Sequence, residues 1–476
     1  MNSAIRPPFP NTPMSPDLAP IWDQNMIQKY DTAGPRYTSY PTALQFDTNY
    51  GQTQWQRANA AGYTRSEAMS LYLHLPFCDT VCYYCGCNKI ITANRRHAEK
   101  YLEYVLREIA LKSAALAGAG RVKSVHLGGG TPTYFDDDQL ARLMRHLYDN
   151  FNFRNDVECA IELHPQTVTV KRLEKLGALG FNRASIGIQD FDPEVQRAVN
   201  RYNSADEVRV LMAALREFNF VSTSVDLIYG LPHQTAQRFA QTLSTVVDLN
   251  PDRISLFNYA HMPSRFKTQR QIDARALPEP QEKLRILHSS IDYLCTEGYA
   301  YIGMDHFAKT TDSLYQAQQE GHLQRNFQGY TEHNSEVLHG FGVSSISQLG
   351  RDYAQNAKTL AGYYAALDAG QLPIERGIHS SDDDIVRRAV INALLCQLGV
   401  NIPALEARFC VSFFDYFAAE IRLLRDYERD GLLKISRDHI RVEATGRLLV
   451  RAIAQVFDQY NRIDNSVQEK RFSRII

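Results

Sequence analysis

Between residues 71 and 259 short apolar runs alternate with amphipathic stretches, and that alternation restricts the chain to few folds. The runs 71–75, 122–127, 157–163, 183–188, 221–228 and 253–259 predict six strands. The stretches 98–117, 137–150, 168–179, 205–218 and 235–249 predict five intervening helices. Strands joined by helical crossovers lie parallel, because such a connection is too long for a hairpin. An α/β fold follows, although periodicity alone does not separate an open sheet from a barrel.

The remainder of the chain has to be smaller units, since 476 residues exceed one ordinary domain. Residues 1–70 read as an arm of little periodicity that includes Pro35-Arg36-Tyr37-Thr38-Ser39-Tyr40-Pro41-Thr42. A helix over 281–297 and a strand-like run over 299–304 precede a polar, loop-rich region to about residue 350. Farther on, helices over 382–398 and 413–430, a hairpin over 432–436 and 439–443, and a helix over 446–460 describe a small helical domain with a wing-like hairpin. Such a wing could read nucleic acid, but its charges balance: Arg422, Arg425 and Arg429 stand against Asp426, Glu428 and Asp430. A cap on the larger domain fits better. Lys and Arg total 52 against 53 Asp and Glu, so no overall basic field draws nucleic acid or anionic lipid. No run reaches the roughly 18 apolar residues of a membrane span. The start, proline-rich and without an apolar core, is unlike a secretory signal, and a cytoplasmic address is expected.

Four of eight cysteines, Cys78, Cys82, Cys85 and Cys87, fall within ten residues. The others (Cys159, Cys295, Cys396, Cys410) stand alone in apolar surroundings and are expected as buried small hydrophobes. Clustered thiolates in a large chain point to metal or redox chemistry. Zinc normally draws a second ligand pair from a distant segment, and none stands out. A Cys82–Cys85 dithiol would not need two further cysteines beside it. An iron–sulfur cluster is the best of the three readings, and the other two stay open on spacing alone.

The conspicuous polar residues segregate. Gly128-Gly129-Gly130-Thr131-Pro132, Glu162 and His164, Gln189 and Asp190, Asp226 with Tyr229-Gly230, and Asn258 with Ala260 all fall at the carboxyl ends of predicted strands. Parallel α/β folds bind ligands at that end. Each has an ordinary alternative: a glycine turn, a satisfied carboxylate, a solvated arginine at Arg201. Asp226, set in the apolar run Val225-Asp226-Leu227-Ile228, needs a partner or a ligand.

Cys78-x-x-x-Cys82-x-x-Cys85, with Tyr84 before the last cysteine, resembles the radical S-adenosylmethionine (SAM) motif. Similarity continues through 35–43, 74–89, 128–134, 185–190, 226–235, 257–261, 303–308, 326–331 and 340–347, and there the chain resembles the oxygen-independent coproporphyrinogen III oxidases of haem synthesis. The resemblance implies a partial (β/α)6 radical SAM barrel over 71–310, with the 1–70 arm over its mouth. A connecting region over 311–375 would complete the active site, and a mainly helical domain would span 376–476. It implies a [4Fe–4S] cluster on Cys78, Cys82 and Cys85, and two bound SAM molecules. Tyr72, Gly129, Glu162 and Ile346 would contact the first SAM. Gly130, Thr131, Gln189, Arg201, Asp226 and Ala260 would hold the second. Cys87 matches the family's fourth cysteine, which is not a cluster ligand. The implied reaction turns two propionates of coproporphyrinogen III into vinyl groups, with an external electron donor and acceptor. Arg36 is a candidate for a substrate carboxylate, and a monomer is the default. Haem-binding chaperones of the same superfamily usually lack the fourth cysteine and the segment 36–42, so both features favour the enzyme over that rival. A radical SAM enzyme acting on haem itself is the further alternative.

Overall fold

The structure, a computed structural model, describes residues 19–61, 68–116, 120–333, 337–461 and 474. The proline-rich stretch to residue 18 lies outside them. The chain divides into two compact units: Gln45–Ser290 with Ser335–His379, and Met1–Leu44 with Ile291–Asn334 and Ser380–Ile476.

The first unit is built on β1 (Ala68–Leu75), β2 (Arg121–Gly129), β3 (Phe153–Leu163), β4 (Arg183–Gln189), β5 (Ser222–Tyr229) and β6 (Arg253–Asn258). They pair in sequence order, each parallel to the next, as the alternation requires. The crossover helices form because their apolar residues recur at helical spacing. In Asp137–Asn150, Leu140, Leu143, Met144 and Leu147 are buried together. A capping box fixes where that helix starts: Asp136 accepts from the Gln139 amide, and the Gln139 side chain accepts from the Asp136 amide. Each fully buried leucine contributes about 1.5–3 kcal/mol.

The expected loop-rich region up to residue 350 instead contains five short strands and the helix Ser313–Gln319 among its described residues. Val337–Phe341 adds parallel to the free edge of β1, in the register Tyr72↔Gly340. Ile346–Leu349, Asp352–Asn356 and Ile374–His379 then follow antiparallel. The polar letters misled because many of these side chains are buried and bonded: Asn356 donates to Glu108 at 2.7 Å, and buried Asp352 meets His379 at 2.6 Å. Residues read as one irregular arm contain two helices, Gln24–Tyr30 and Gln52–Ala61, which belong to different units. The second helix buries Trp55 in the barrel unit, and Gln52 accepts from the Leu372 amide at 2.8 Å.

The second unit holds the hairpin Tyr299–Gly303/His306–Lys309 and a shorter one, Gln324–Asn326/Gly329–Thr331. Its core gathers Val390, Leu394, Phe417, Leu424, Ile453 and Phe457. Helix Asp382–Gln397 starts on a Ser381/Asp384 capping box. The wing is three-stranded, because Gly399–Asn401 joins the expected hairpin Leu433–Ile435/His439–Val442. Two predicted helices are interrupted: one breaks at Phe417, and the last is a short helix, Val450–Gln455, after a tight turn. Cys159 and Cys396 are buried as expected, and Cys295 is half-buried. Cys410 is exposed, because it ends helix Ile402–Phe409 in the left-handed conformation, φ 55°. Among the described residues no helix is long and apolar enough to cross a membrane.

Candidate active site

The cysteine loop leaves β1 through Pro76, and its neck is closed where Phe77–Cys78 pairs with Ile90–Ile91. Phe77 is fully buried and packs its ring 5.5 Å from those of Tyr101 and Tyr134. Beyond the neck, other elements hold the loop by its backbone. Asn200 donates to the Val81 carbonyl at 2.8 Å, and the Tyr83 amide donates to Val199 at 3.0 Å. Gln269 donates to the Tyr84 carbonyl at 3.0 Å, while Lys89 and Thr268 donate to that of Cys85 at 2.8 and 3.2 Å. With the main chain fixed in this way, the thiols are left for other work. The Thr131 hydroxyl lies 3.4 Å from Cys78 Sγ, and Arg201 Nη1 lies 3.8 Å from Cys82 Sγ. The Cys87 thiol donates a hydrogen bond to the Cys85 sulfur.

The glycine run after β2 lies against this loop. The Gly130 amide donates to Leu75 and that of Thr131 to Phe77, both at 2.9 Å. A Cβ on Gly130 would stand 2.6 Å from the Pro76 carbonyl carbon and oxygen, which are main-chain atoms and cannot move aside. Gly130→Ala is therefore expected to push the run off the loop and to lower kcat/KM roughly 100-fold. Unchanged kinetics in the cluster-loaded variant would refute this close approach.

Tyr72, His74, His126 and Glu162 form one chain of contacts. His74 is buried, which holds its ring neutral, and Nε2 faces the Asn88 carbonyl at 2.8 Å. A carbonyl only accepts, so Nε2 carries the proton and Nδ1 accepts from the Tyr72 hydroxyl at 3.2 Å. Tyr72 stacks on His126, whose Nε2 lies 3.2 Å from Glu162. Glu162 also accepts from the Gly129 amide at 3.1 Å. Burial would raise its carboxyl, but His126 and the Gly129 amide hold it below the usual range, so it is an anion.

Asp226 is the opposite case. It accepts from Ser185 at 3.0 Å and also from Ser255. Burial, and then the charge of Glu162, push its carboxyl up to about 6. A carboxyl raised in the fold stabilises only while protonated: its contribution is full below the ordinary 3.8 and is lost as pH rises through about 6. Asp226→Asn should therefore stabilise the cofactor-free protein by about 1–3 kcal/mol near neutral pH, and not near pH 4. Denaturant unfolding at the two pH values checks the sign.

Gln189 sits on a bulge with φ 72°. Both it and Arg201, which donates to the Gly187 carbonyl, close over the face of Gly187. Ala260 is tied by its carbonyl to Gln269 at 3.2 Å, so one amide links it to the cysteine loop. Ile346 backs onto Gly340, the residue opposite Tyr72 in register. The structure thus gathers the cysteines, Thr131, Gly130, Gly129, Glu162, Tyr72, Gln189, Arg201 and Asp226 at one end of the parallel strands. Arg36 belongs to the other unit, where it pairs with Asp305. Reading the sequence missed His126, Thr268, Gln269 and Asn200. Gln269 acts on a carbonyl 185 residues away, and no local pattern marks it.

The donor set fits a cluster and an amino-acid ligand. Three soft thiolates share one loop. Arg201 is more than nine-tenths buried, its Nε has no partner, and Asn258 Oδ1 is likewise buried without one. Such groups suit a ligand bearing a carboxylate and an amine.

Residues 72–246 match the radical SAM superfamily and residues 381–449 the HemN C-terminal domain. By class the chain is a radical SAM enzyme. It is 47% identical over 455 residues to the oxygen-independent coproporphyrinogen III oxidase of Escherichia coli, covering 96% of this chain and 98% of the relative. It is 45% identical over 457 residues to that of Pseudomonas aeruginosa, covering 96% and 99%. The solved structure of the E. coli enzyme, described as a radical SAM enzyme, matches with a TM-score of 0.89 at 44% identity, covering 93% of this chain and all of that one. The chain belongs to the oxygen-independent coproporphyrinogen III oxidase family. Membership brings a [4Fe–4S] cluster and SAM as its cofactors.

Proposed function

We propose that this chain converts two propionates of coproporphyrinogen III to vinyl groups without oxygen, giving protoporphyrinogen IX for haem synthesis. Each propionate loses a β-hydrogen atom, its bond to the carboxylate carbon breaks to release carbon dioxide, and one electron passes to an external acceptor. When bound, the reduced cluster and SAM supply the 5′-deoxyadenosyl radical that takes the hydrogen atom.

The chain's own residues hold and orient. Cys78, Cys82 and Cys85 ligate the cluster, and Cys87 stands beside them without ligating. Tyr72, Gly129, Glu162 and Ile346 contact the first SAM, with the Glu162 anion suited to its amino group. Gly130, Thr131, Gln189, Arg201, Asp226 and Ala260 hold a second, and the Arg201 guanidinium suits a carboxylate. The glycine run lets a ligand approach the backbone closely, and the apolar packing of Tyr83 and Tyr84 with Val199 and Tyr259 covers one side of the middle of the loop. The protein works in the cytoplasm as a monomer, with a separate donor and acceptor of electrons.

The observation that carries this reading is the thiolate loop set against the glycine run in a chain similar to the oxidases along nearly its whole length. Anaerobic assay of cluster-loaded protein with coproporphyrinogen III, SAM, a reductant and an acceptor tests it. Protoporphyrinogen should appear in step with 5′-deoxyadenosine. If 5′-deoxyadenosine forms without decarboxylated product, the substrate is wrong. Stoichiometric haem binding without turnover would point to a chaperone.

A further inference from the structure

Tyr72 and Glu162 come from different strands of the barrel unit, and one side chain between them touches both. His126 on β2 lies opposite Tyr72 on β1 and opposite Ala160 on β3, two residues before Glu162. Residues two apart on a strand line one face, so His126, Tyr72 and Glu162 share a side of the sheet. The His126 ring stacks on that of Tyr72, with centroids 5.8 Å apart and planes 25° from parallel. Its Nε2 lies 3.2 Å from Glu162 Oε1. A carboxylate only accepts, so Nε2 carries the proton. Oε2 of the same carboxylate accepts from the Gly129 amide at 3.1 Å. Glu162 is therefore held at both oxygens. Tyr72 is held by its ring face and by its hydroxyl, which donates to His74.

One donor on each oxygen fixes the plane of a carboxylate. Each oxygen has two lone pairs, so one on each stays free for a further donor. A glutamate loses rotamer freedom when a ligand orders it, and here that loss precedes the ligand. Neither side chain is fully buried, and Glu162 is the more open. The imidazole thus supports the carboxylate and leaves its remaining lone pairs to a ligand that bears an ammonium group. Packing does not account for a histidine here. The strand neighbours Val125 and Leu127 are fully buried on the opposite face, and they carry the packing of β2.

We propose that His126 is a positioning residue for the amino-acid end of the first SAM. Its Nε2–H orients the Glu162 carboxylate and its ring seats Tyr72, so one side chain sets two contacts and acts through them. This inference rests on the function proposed above, in which Tyr72 and Glu162 contact that SAM.

The test uses anaerobic, cluster-loaded enzyme and S-adenosylhomocysteine, which keeps the amino and carboxylate groups of SAM but has no sulfonium to cleave. The EPR signal of the reduced cluster reports its binding. His126→Phe keeps a ring for Tyr72 and loses the donor, so Kd should rise about tenfold with iron content unchanged. His126→Gln, which can still donate to Glu162, should recover part of that loss. In turnover of His126→Phe, KM for SAM should rise more than kcat falls. In a Glu162→Gln background His126→Phe should change Kd less than about twofold, because the group it acts through is gone. If His126→Phe does not fold, the same cycle run with His126→Asn, whose side chain falls short of Glu162, decides. Unchanged Kd overturns the proposal, and so does an equal rise in both backgrounds, which marks a structural role. Loss of iron in His126→Phe would assign the residue to the cysteine loop and overturn it too. A Glu162→Gln enzyme that binds S-adenosylhomocysteine as the wild type does would instead sink the SAM contacts proposed above, and this inference with them.

Discussion

Cys82→Ser is expected to give a folded chain that lacks its iron and sulfide and forms no 5′-deoxyadenosine. A serine hydroxyl is a hard, protonated group at neutral pH and does not replace a soft thiolate on iron. The fold should survive, because what ties this loop down is its backbone: the Val81, Tyr84 and Cys85 carbonyls are held by Asn200, Gln269, Lys89 and Thr268. None of those bonds uses the Cys82 sulfur. Activity should fall by about a thousandfold or more, as when any member of an interdependent catalytic set is removed. Cys87→Ser, by contrast, should keep its iron, since Cys87 is exposed at the end of the loop. Iron and sulfide analysis, visible absorbance and chromatography of 5′-deoxyadenosine check both variants. Full iron in Cys82→Ser, or equal loss in Cys87→Ser, would mean that the three ligands are wrongly chosen.

The parts of this molecule that the sequence reveals are those whose cause is local. Six parallel strands follow from period and length, and β1 to β6 fall within a few residues of the expected ranges. The largest error of extent is β3, which starts at Phe153, because Arg154, Asn155 and Asp156 are exposed and interrupt the apolar pattern. The cysteine loop is legible because its spacing is the chemistry. Val337–Phe341 is not legible. His339 and Gly340 hide a strand whose five residues are all buried, and its partner β1 lies more than 260 residues earlier. The supports of the site fail for the same reason. His126 reads as an ordinary strand residue until the register sets it beside Tyr72. Gln269 and Asn200 act through carbonyls, which carry no sequence signature. Asp226 is the instructive middle case. Its apolar setting marks it as unusual, but only the fold brings Ser255, its register partner, and Ser185, two residues before its partner Gly187 on the other side, within its reach.

Glu108→Ala is expected to destabilise the barrel unit by about 3–5 kcal/mol, the range for breaking a buried ion pair from one side. Glu108 and Lys112 lie one turn apart on helix Arg96–Leu116, both almost fully buried, with 2.7 Å between their charged atoms. The carboxylate also accepts from the Gly342 amide at 2.8 Å, Asn356 at 2.7 Å and the Tyr363 hydroxyl at 2.6 Å. Alanine leaves those donors and a buried ammonium without their acceptor. The damage should reach the site, because Lys112 donates to the Gly340 carbonyl at 2.5 Å, and Gly340 lies between Tyr72 and Ile346. SAM affinity should therefore fall along with the unfolding midpoint. Glu108→Leu with Lys112→Met should be less destabilised than the single variant, because it removes the orphaned charge. If the double variant proved as unstable as Glu108→Ala, the stability would reside in the neutral hydrogen bonds, and the ion pair would count for little.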